Sequence, residues 1–472
     1  MTTKRWTLAV VCAATAMLML DIAVVNTALS RMAEDLGADL SGLQWVVDAY
    51  TLVLASTVLT AGSLADRLGR RRLFAIGLAI FTGASALCAA STSIGMLDAA
   101  RAVQGLGAAI MFAVSLALLA NAFPDPRERA GALAAYGATI GGSFAIGPLV
   151  GGALTSGLDW QWIFLINVPI GIACLWITGA RVEESRDPHA RRIDWAGQAV
   201  LAPGLFLLVL ALLRGNEDGW TSAAIVAELG AAAVLLSAFV AIERRVAEPM
   251  LPLRFFRSHD FTGAQVAAFA ISASFFAVFL YTTLYLQQVL GLSAIEAGLV
   301  YLPGTAIMFV VSGATAQLGQ RVPPRVMVGG GLALVAAGMA LMNVAAGTDS
   351  SWVAILPGEI VALVGTGLFN PALTAVALGS VPVEQSGLAA GVNDTFRQAG
   401  IAVGVAALGA LVPAGSALGG GSPAAYVDGL HNALWACVAL AAVGAVAAAV
   451  LIGRRPRTQL VGRAGELVPE AA

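Results

Sequence analysis

Charged residues are scarce in this chain, and the scarcity of particular types excludes several functions. Only 11% of the 472 residues are charged, and Lys4 is the sole lysine. A phosphate-binding loop of the Gly-x-x-x-x-Gly-Lys type needs a lysine that directly follows a glycine, which this sequence does not have, so an ATP-driven pump is excluded. The three histidines, His189, His259 and His431, are too far apart for the spacing of metal ligands. We therefore expect no metal site and no enzyme.

Cysteine is rare as well, and its positions favour a structural interpretation. All four cysteines lie inside apolar segments, at Cys12, Cys88, Cys174 and Cys437. No two of them have the spacing of metal ligands, and small apolar side chains of this kind are commonly buried. We interpret them as buried hydrophobic residues and expect neither disulfides nor a bound cofactor.

Apolar residues are abundant instead, which places the chain in a membrane. They make up 58% of the sequence, the mean hydropathy is +0.84, and there are 53 glycines, which membrane helices use for close packing. A segment that crosses the hydrocarbon layer needs about 20 mostly apolar residues. We find fourteen such segments, from 6–29 to 430–452. The prediction is an all-α integral membrane protein, and the net charge of -2 gives no indication of a nucleic-acid partner.

The basic residues predict the orientation of these helices. If the N-terminus is cytoplasmic, all but four of the 26 Lys and Arg residues fall on the cytoplasmic side. The exceptions are Arg31 and Arg214 outside, and Arg101 and Arg397 within helices. This bias is what the positive-inside rule predicts. Because arginine and alanine are abundant, a high-GC bacterial genome is indicated, and we expect a multi-pass protein of a bacterial inner membrane with both termini cytoplasmic.

Short repeats divide the chain into two halves. Glu128-Arg-Ala-Gly131 resembles Glu384-Gln-Ser-Gly387, and the string from Gly62 resembles a degenerate copy from Gly313, both at nearly the same offset. Secondary transporters build two such repeats around a site at the membrane midplane. We predict a six-helix repeat at 1–180, two inserted helices with cytoplasmic linkers at 181–260, a second six-helix repeat at 261–453 and a tail at 454–472.

A short charged loop between the second and third segments is the most informative motif. It combines a glycine-bounded turn, one acid and several arginines, which suit a clamp between helix ends on one membrane face. The residues that we assign to this cytoplasmic gate loop are Gly62, Asp66, Arg67, Gly69, Arg70 and Arg71. Its copy in the second half has Gln317 in place of Asp66, so we expect a weaker clamp or none there.

These motifs resemble those of the major facilitator superfamily, and in particular its fourteen-helix drug:proton antiporter family. The gate loop, Leu20-Asp21-Ile-Ala-Val-Val-Asn26 and Arg101-Ala-Val-Gln104 carry the resemblance, which extends over nearly the whole chain. A glycine-proline string in the fifth segment looks like the motif of antiporters, with Gly142, Gly147, Pro148, Gly151 and Gly152. The resemblance implies a helix that seals the cavity against proton leak; the alternative is ordinary close packing.

Ionisable residues inside the membrane are candidates for proton coupling, because they are costly there. Asp21, Asp48 and Arg101 lie on three helices at a similar depth, and we expect them to form one electrostatic unit that one proton neutralises. We expect Asp21→Asn to abolish coupled transport and to leave folding intact. The alternatives are a solvated Asp48 at the interface and an Arg101 that anchors backbone carbonyls. Asp394 and Arg397, spaced i and i+3, predict a salt bridge within one helix.

A second set of residues is assigned to a substrate cavity. Glu359 lies inside the twelfth predicted segment, and we expect it to hold a cationic group or a second proton; the alternative is a partner for another polar group. The other polar and aromatic candidates are Asn26, Gln104, Tyr281, Tyr285, Asn370, Asn393 and Phe396. For each of them a place in the core is the alternative.

The sequence therefore predicts a secondary active exporter that works by alternating access. Its expected partners are a drug or other amphipathic or cationic small molecule, protons and the lipid bilayer; we expect a monomer that needs no cofactor beyond the proton motive force. A proton-coupled importer and a narrow-substrate metabolite exporter of the same fold remain alternatives. A membrane-embedded enzyme is disfavoured, because no cluster of His, Asp or Cys lies near an interface, and a passive channel would leave the motifs unexplained.

Overall fold

A computed structural model describes residues 3–186, 192–319, 321–382, 385–413, 415–416 and 422–453. All regular structure in these ranges is helical. The predicted tail at 454–472 and Glu384 lie outside the described residues, as does the side chain of Gln317.

The first repeat is a helical bundle in which the second and fourth helices have side-chain caps at their starts. Its helices are α1 Thr3–Leu36, α2 Leu40–Leu68, α3 Arg70–Ala89, α4 Ile94–Ala122, α5 Pro126–Gly157, α6 Trp162–Leu165 and α7 Asn167–Arg181. Asp39 and Ser93 accept backbone N–H groups of Gly42 and Met96, which satisfies free donors at the starts of α2 and α4. The short α6 leads into α7, and both together form one apolar segment, Trp162–Arg181.

The second repeat and the inserted hairpin follow the same pattern. The inserted helices are α8 Trp195–Asp218 and α9 Ala223–Glu243; the second repeat has α10 His259–Ile271, α11 Ala277–Leu284, α12 Ala294–Leu318, α13 Pro324–Ala345, α14 Trp352–Gly379, α15 Ser386–Gly409 and α16 Pro423–Leu451. A wide turn with i→i+5 hydrogen bonds, Ser272–Phe276, joins α10 and α11 into one rod, and a second wide turn, Tyr285–Val289, extends the rod beyond α11. A 3₁₀ turn, Leu253–Arg257, precedes that rod.

Thirteen helices in the described ranges are long and apolar enough to cross a membrane. The predicted segment 387–411 corresponds to α15, which is not among the thirteen; it carries Asn393, Asp394, Arg397 and Gln398 along its middle. The protein is thus a helical multi-pass membrane protein, and the exact arrangement of fourteen spans stays a prediction.

The two repeats meet along two seams. One seam joins α2 to α15 and the other joins α5 to α12. The hairpin lies outside the first seam: α8 packs on both α2 and α15, and α9 packs on α8. Thr60 of α2 donates to Gln198 at one end of α8 (2.7 Å), and Asn216 near the other end donates to the carbonyl of Ala410 (2.7 Å). The predicted division at 180 and 260 stays a prediction; α7 ends at Arg181 and α10 begins at His259.

We call the two ends of the helical bundle the basic face and the opposite face. The basic face is the end that carries residues 62–72. The opposite face is the end where Trp160 donates to Asp35 (2.9 Å).

Candidate functional site

The loop at 62–72 is a tight turn closed by one ion pair. Arg70 donates to Oδ1 of Asp66 through Nε (3.0 Å) and Nη2 (2.8 Å), across Gly69 at φ 114°. That φ is accessible mainly to glycine. Arg67 is exposed at the surface. The ion pair therefore lies within the turn between α2 and α3, and in the described part of the chain its side chains form no hydrogen bond or ion pair with the second repeat.

Glu184, which the sequence analysis missed, completes this loop. Its carboxylate accepts the backbone N–H groups of Arg71 (3.0 Å) and Arg72 (3.2 Å), which are free donors in the first turn of α3. A Cβ added to Gly69 would lie 2.7–2.9 Å from this carboxylate, so only glycine fits there. Arg71 also donates to the carbonyl of Val182 (3.3 Å). The loop thus fastens the ends of α2, α3 and α7 together; the acid pair Glu183-Glu184 just after α7 was the available signal.

A buried ion pair between Asp21 and Arg101 lies at the centre of the first repeat. Nη1 of Arg101 on α4 is 2.5 Å from Oδ2 of Asp21 on α1, and the two side chains are 2% and 0% exposed. Nε of Arg101 donates to the carbonyl of Val46 (2.9 Å), and the guanidinium lies 4.3 Å from the ring centroid of Tyr50. Arg101 thus makes both kinds of contact considered from the sequence: it pairs with a carboxylate, and it donates to a backbone carbonyl.

Three amides and hydroxyls surround this pair. Gln104 donates to Oδ1 of Asp21 (2.8 Å) and to Ser85 (2.9 Å), and it accepts from Arg101 (2.6 Å). Asn167 at the start of α7 also donates to Oδ1 of Asp21 (3.1 Å). Asp21 accepts three donors in all, from Arg101, Gln104 and Asn167. Gln104 therefore belongs to the charge cluster and lines neither of the two cavities described below.

Asp48 does not join the cluster, and the expected unit of three charges is not formed. Tyr50 on α2 faces Arg101, and a residue two positions away points to nearly the opposite side of a helix. Asp48 is fully buried, and both of its carboxylate oxygens lack a hydrogen-bond partner. One turn earlier, Gln44 donates to the hydroxyl of Tyr281 (2.6 Å) in the second repeat. Asp48 is thus buried rather than solvated, on the α2 side of the seam with α15.

Two neighbouring cavities lie between the repeats and share an aromatic wall. Asn26 and Arg101 line the first, and Glu359 lines the second. Phe144, Phe275 and Phe279 line both. The wide turn at Ser272–Phe276 presents two successive phenylalanines, Phe275 and Phe276, to the first cavity. Such turns in membrane and soluble helices frequently mark functional sites.

Glu359 has no polar partner in this second cavity. It is 2% exposed, and neither carboxylate oxygen accepts a hydrogen bond. Oε1 lies 3.2 Å from the position that a Cβ on Gly304 would take, so α14 and α12 meet closely beside it. An unpartnered buried carboxylate is stable only when it is protonated or paired with a cation.

The remaining cavity candidates lie in contacts between helices. Tyr281 donates to the carbonyl of Val405, and Tyr285 donates to that of Gly347 (2.7 Å). Asn393 donates to Gln265 (3.2 Å), and Phe396 stacks on Phe256 with ring centroids 5.9 Å apart. These four residues and Asn370, whose Oδ1 is buried without a partner, line neither cavity.

The salt bridge expected between Asp394 and Arg397 is not formed. Arg397 instead lies 5.7 Å from the ring centroid of Phe276, and Oδ2 of Asp394 has no hydrogen-bond partner. The arginine side chain extends away from α15 towards the rod of α10 and α11. The guanidinium of Arg397 is therefore directed away from the carboxylate of Asp394, one turn earlier in α15.

The glycines of α5 pack against two different helices. Gly151 faces α1, where an added Cβ would lie 2.8 Å from Cα of Val24, and Gly147 faces Ala23 on the same helix. Gly152 faces α12, where a Cβ would lie 2.7 Å from Cα of Ile295. Gly142 has more room, since a Cβ there would be 3.8 Å from the ring of Phe309. Gly147, Gly151 and Gly152 therefore provide close packing of α5 against α1 and α12. Pro148 follows Gly147 within α5.

Hydrogen bonds between the repeats concentrate away from the basic face. In the described ranges these bonds join Gln44 to Tyr281, Gln287 to Thr27, Ile295 to Ser156, and Thr305 to Ala145. The first three lie near helix ends at the opposite face, and the fourth lies near the middle of α5 and α12. The conformation is closed at the opposite face.

We expect Gly152→Ala to disfavour this closed conformation. The new Cβ would collide with the backbone of α12, and overpacking of this kind costs about 1–3 kcal/mol. Labelling of a cysteine introduced at Ser156, which bonds Ile295 in the seam, should become faster in the variant. Gly142→Ala is the control, because its Cβ fits; equal labelling in both variants would contradict a role for Gly152 in closing the seam.

Comparisons with known proteins agree with this architecture. A family model described as the Major Facilitator Superfamily matches residues 11–405. Multidrug resistance protein Stp of Mycobacterium tuberculosis is 37% identical over 403 residues, which cover 84% of this chain and 74% of that protein. Puromycin resistance protein pur8 of Streptomyces alboniger is 36% identical over 465 residues, covering 96% and 92%. The solved structure of a D-xylose-proton symporter shares the fold, with a TM-score of 0.68 and 14% identity over 95% of this chain and 98% of that one.

Proposed function

Because the chain belongs to the Major Facilitator Superfamily of transporters and is not an enzyme, we propose that it exports drugs or other amphipathic or cationic small molecules in exchange for protons. The observation that carries the proposal is the buried Asp21–Arg101 pair, which lies beside an aromatic cavity between the two repeats. The names of the relatives, which concern multidrug and puromycin resistance, support export of small molecules.

Proton coupling is assigned to Asp21, Arg101 and Asp48. In the conformation closed at the opposite face, Asp21 is paired with Arg101, whereas Asp48 is buried without a hydrogen-bond partner. An isolated buried carboxylate is stable only in its neutral form, so Asp48 holds a proton while its seam is closed. When the seam opens, water reaches Asp48 and its proton can exchange. The charge state of the first repeat therefore changes with the conformation, which is what coupling requires.

Substrate binding is assigned to the paired cavities. Phenylalanine rings form a wall suited to flat apolar molecules, and a cationic substrate can form an ion pair with the carboxylate of Glu359. Alternating access would transfer the cavities between the two faces as the seams open and close.

The membrane placement follows from the charges. We assign the protein to a bacterial inner membrane, with the basic face and both termini cytoplasmic. It works as a monomer, and the proton motive force supplies the energy without a cofactor.

Efflux from proteoliposomes tests the proposal. Purified protein is reconstituted with ethidium inside, and a pH gradient is imposed in either direction. Gradient-dependent efflux that stops when the gradient is collapsed by an ionophore is expected. Uptake of ethidium driven with the proton gradient would support the importer instead, and movement independent of the gradient would overturn proton coupling.

A further inference from the structure

Two acidic side chains meet at the base of the α8–α9 hairpin, where the proposed transport cycle assigns them no role. Asp194 caps the start of α8, since its Oδ1 accepts the N–H of Gly197 (2.7 Å). Glu243 is the last residue of α9, and its Oε2 accepts the N–H of Leu251 (3.0 Å) in the linker to the second repeat. Asp194 is 7% exposed and Glu243 is 3% exposed.

The second oxygens of the two carboxyl groups face one small space beside Gly197. Asp194 Oδ2 and Glu243 Oε1 are both buried, and neither has a hydrogen-bond partner. A Cβ added to Gly197 would lie 2.7 Å from the first oxygen and 3.1 Å from the second, so both oxygens face the same small space. Two carboxylates this close cannot both be ionised without strong repulsion, whereas one proton between them makes a hydrogen bond.

No basic side chain compensates the pair within the described ranges. Arg192, Arg244 and Arg245 are the nearest arginines along the described chain, and all three residues are exposed. On the neighbouring helices, Asp66 of α2 is paired with Arg70, and Asp394 and Arg397 of α15 have the contacts described above. A proton is therefore the simplest partner.

The helix ends decide which residue carries that proton. Asp194 lies at the N-terminus of α8, where the helix dipole and a backbone N–H stabilise a negative charge. Glu243 lies at the C-terminus of α9, where a negative charge is disfavoured. The protonated Glu243 then donates from Oε1 to Oδ2 of Asp194.

This pair connects the hairpin to the second repeat. The linker that Glu243 holds continues through Leu251 to Phe256, whose ring packs on Phe261 of α10 and Phe396 of α15, with centroids 5.4 and 5.9 Å apart. We propose that Asp194 and Glu243 share one proton in a carboxyl–carboxylate hydrogen bond, which fastens the hairpin base to the linker 244–258 and releases it when the proton leaves. Its placement on the cytoplasmic side rests on the proposed orientation, but the pair itself does not depend on transport.

Limited trypsin digestion of the purified full chain tests the proposal, because Arg244 and Arg245 lie beside the pair. Cleavage there is followed by the specific fragment, from mildly acidic to mildly alkaline pH. Trypsin itself is pH-dependent, so each rate is divided by that of Glu243→Gln at the same pH; this variant keeps a donor to Asp194 without a titrating group. For the loss of one proton, the normalised wild-type rate should rise by up to about tenfold per pH unit and then level off.

Two further variants and the addition of Mg²⁺ complete the test. Glu228→Gln, at the other end of α9, should behave like wild type, and Asp194→Asn should lose the pH response as Glu243→Gln does. A wild-type ratio that stays flat would overturn the shared proton, and so would a response to Mg²⁺ at constant pH, which would assign the pair to a bound cation. Failure of the efflux experiment would leave this result unaffected, so the two proposals are tested separately.

Discussion

We expect Asp21→Asn to abolish gradient-driven efflux and to destabilise the protein. Arg101 would keep its charge in a site that is 2% exposed, with only amides and a carbonyl around it. Removing one partner of a buried ion pair typically costs about 3–5 kcal/mol. The structure thus changes the expectation from the sequence, which was that folding would remain intact. Efflux is measured in proteoliposomes, and stability by thermal unfolding in detergent.

A charge-balanced double variant separates the two effects. Asp21→Asn with Arg101→Gln leaves no unpaired charge in the cluster, so most of the lost stability should return. Efflux should still be absent, because the variant removes the charged pair with which Asp48 is proposed to couple protons. If the double variant regained gradient-driven efflux, the pair would be structural only, and the coupled proton would lie elsewhere.

We expect Glu359→Gln to remove selectivity for cations and to leave stability unchanged. Neither carboxylate oxygen has a protein partner, so the amide breaks no contact within the protein, unlike the change at Asp21. A hydrogen-bonded contact to a charged group contributes about 1.5–3 kcal/mol. Efflux of the cation ethidium should therefore fall by roughly 10–100-fold at low substrate concentration, since about 1.4 kcal/mol corresponds to tenfold.

Neutral and peripheral controls make this result specific. Nile red, a neutral dye, should be exported by Glu359→Gln at the wild-type rate if export extends to neutral molecules. Glu228→Gln, which changes a membrane acid paired with Arg214 on the hairpin, should leave both dyes unaffected. Equal loss of both dyes would show that Glu359 carries a proton rather than a substrate charge, and full retention of both would exclude it from the cavity's function.

Much of the architecture could be predicted because it depends on composition and local motifs. Long apolar segments predict the helices, and a glycine-bounded string with one acid and several arginines predicts the turn at Gly69 and Asp66. The pairing of Asp21 with Arg101 could be predicted because an isolated charge inside a membrane is costly. Asn167, which donates to Asp21, and Ser85, which accepts from Gln104, come from helices whose rotation the sequence does not reveal.

Helix rotation also explains where the expectations differ from the structure. Asp48 and Tyr50 are two residues apart, so only one of them can face Arg101. The wide turn at Ser272–Phe276 adds one residue to a helical turn and rotates all later residues by about 100° relative to a regular helix. Tyr281 and Tyr285 follow this turn and face other helices, whereas Phe275 and Phe279 face the cavities.

The position of α8 makes the two seams between the repeats unequal. One seam, between α2 and α15, is covered by a helix that is bonded to the first repeat near one membrane face and to the second repeat near the other. In the described part of the chain, no inserted helix covers the seam between α5 and α12 in this way. A molecule dissolved in the bilayer therefore reaches the α5–α12 seam without an intervening inserted helix, whereas α8 separates it from the α2–α15 seam.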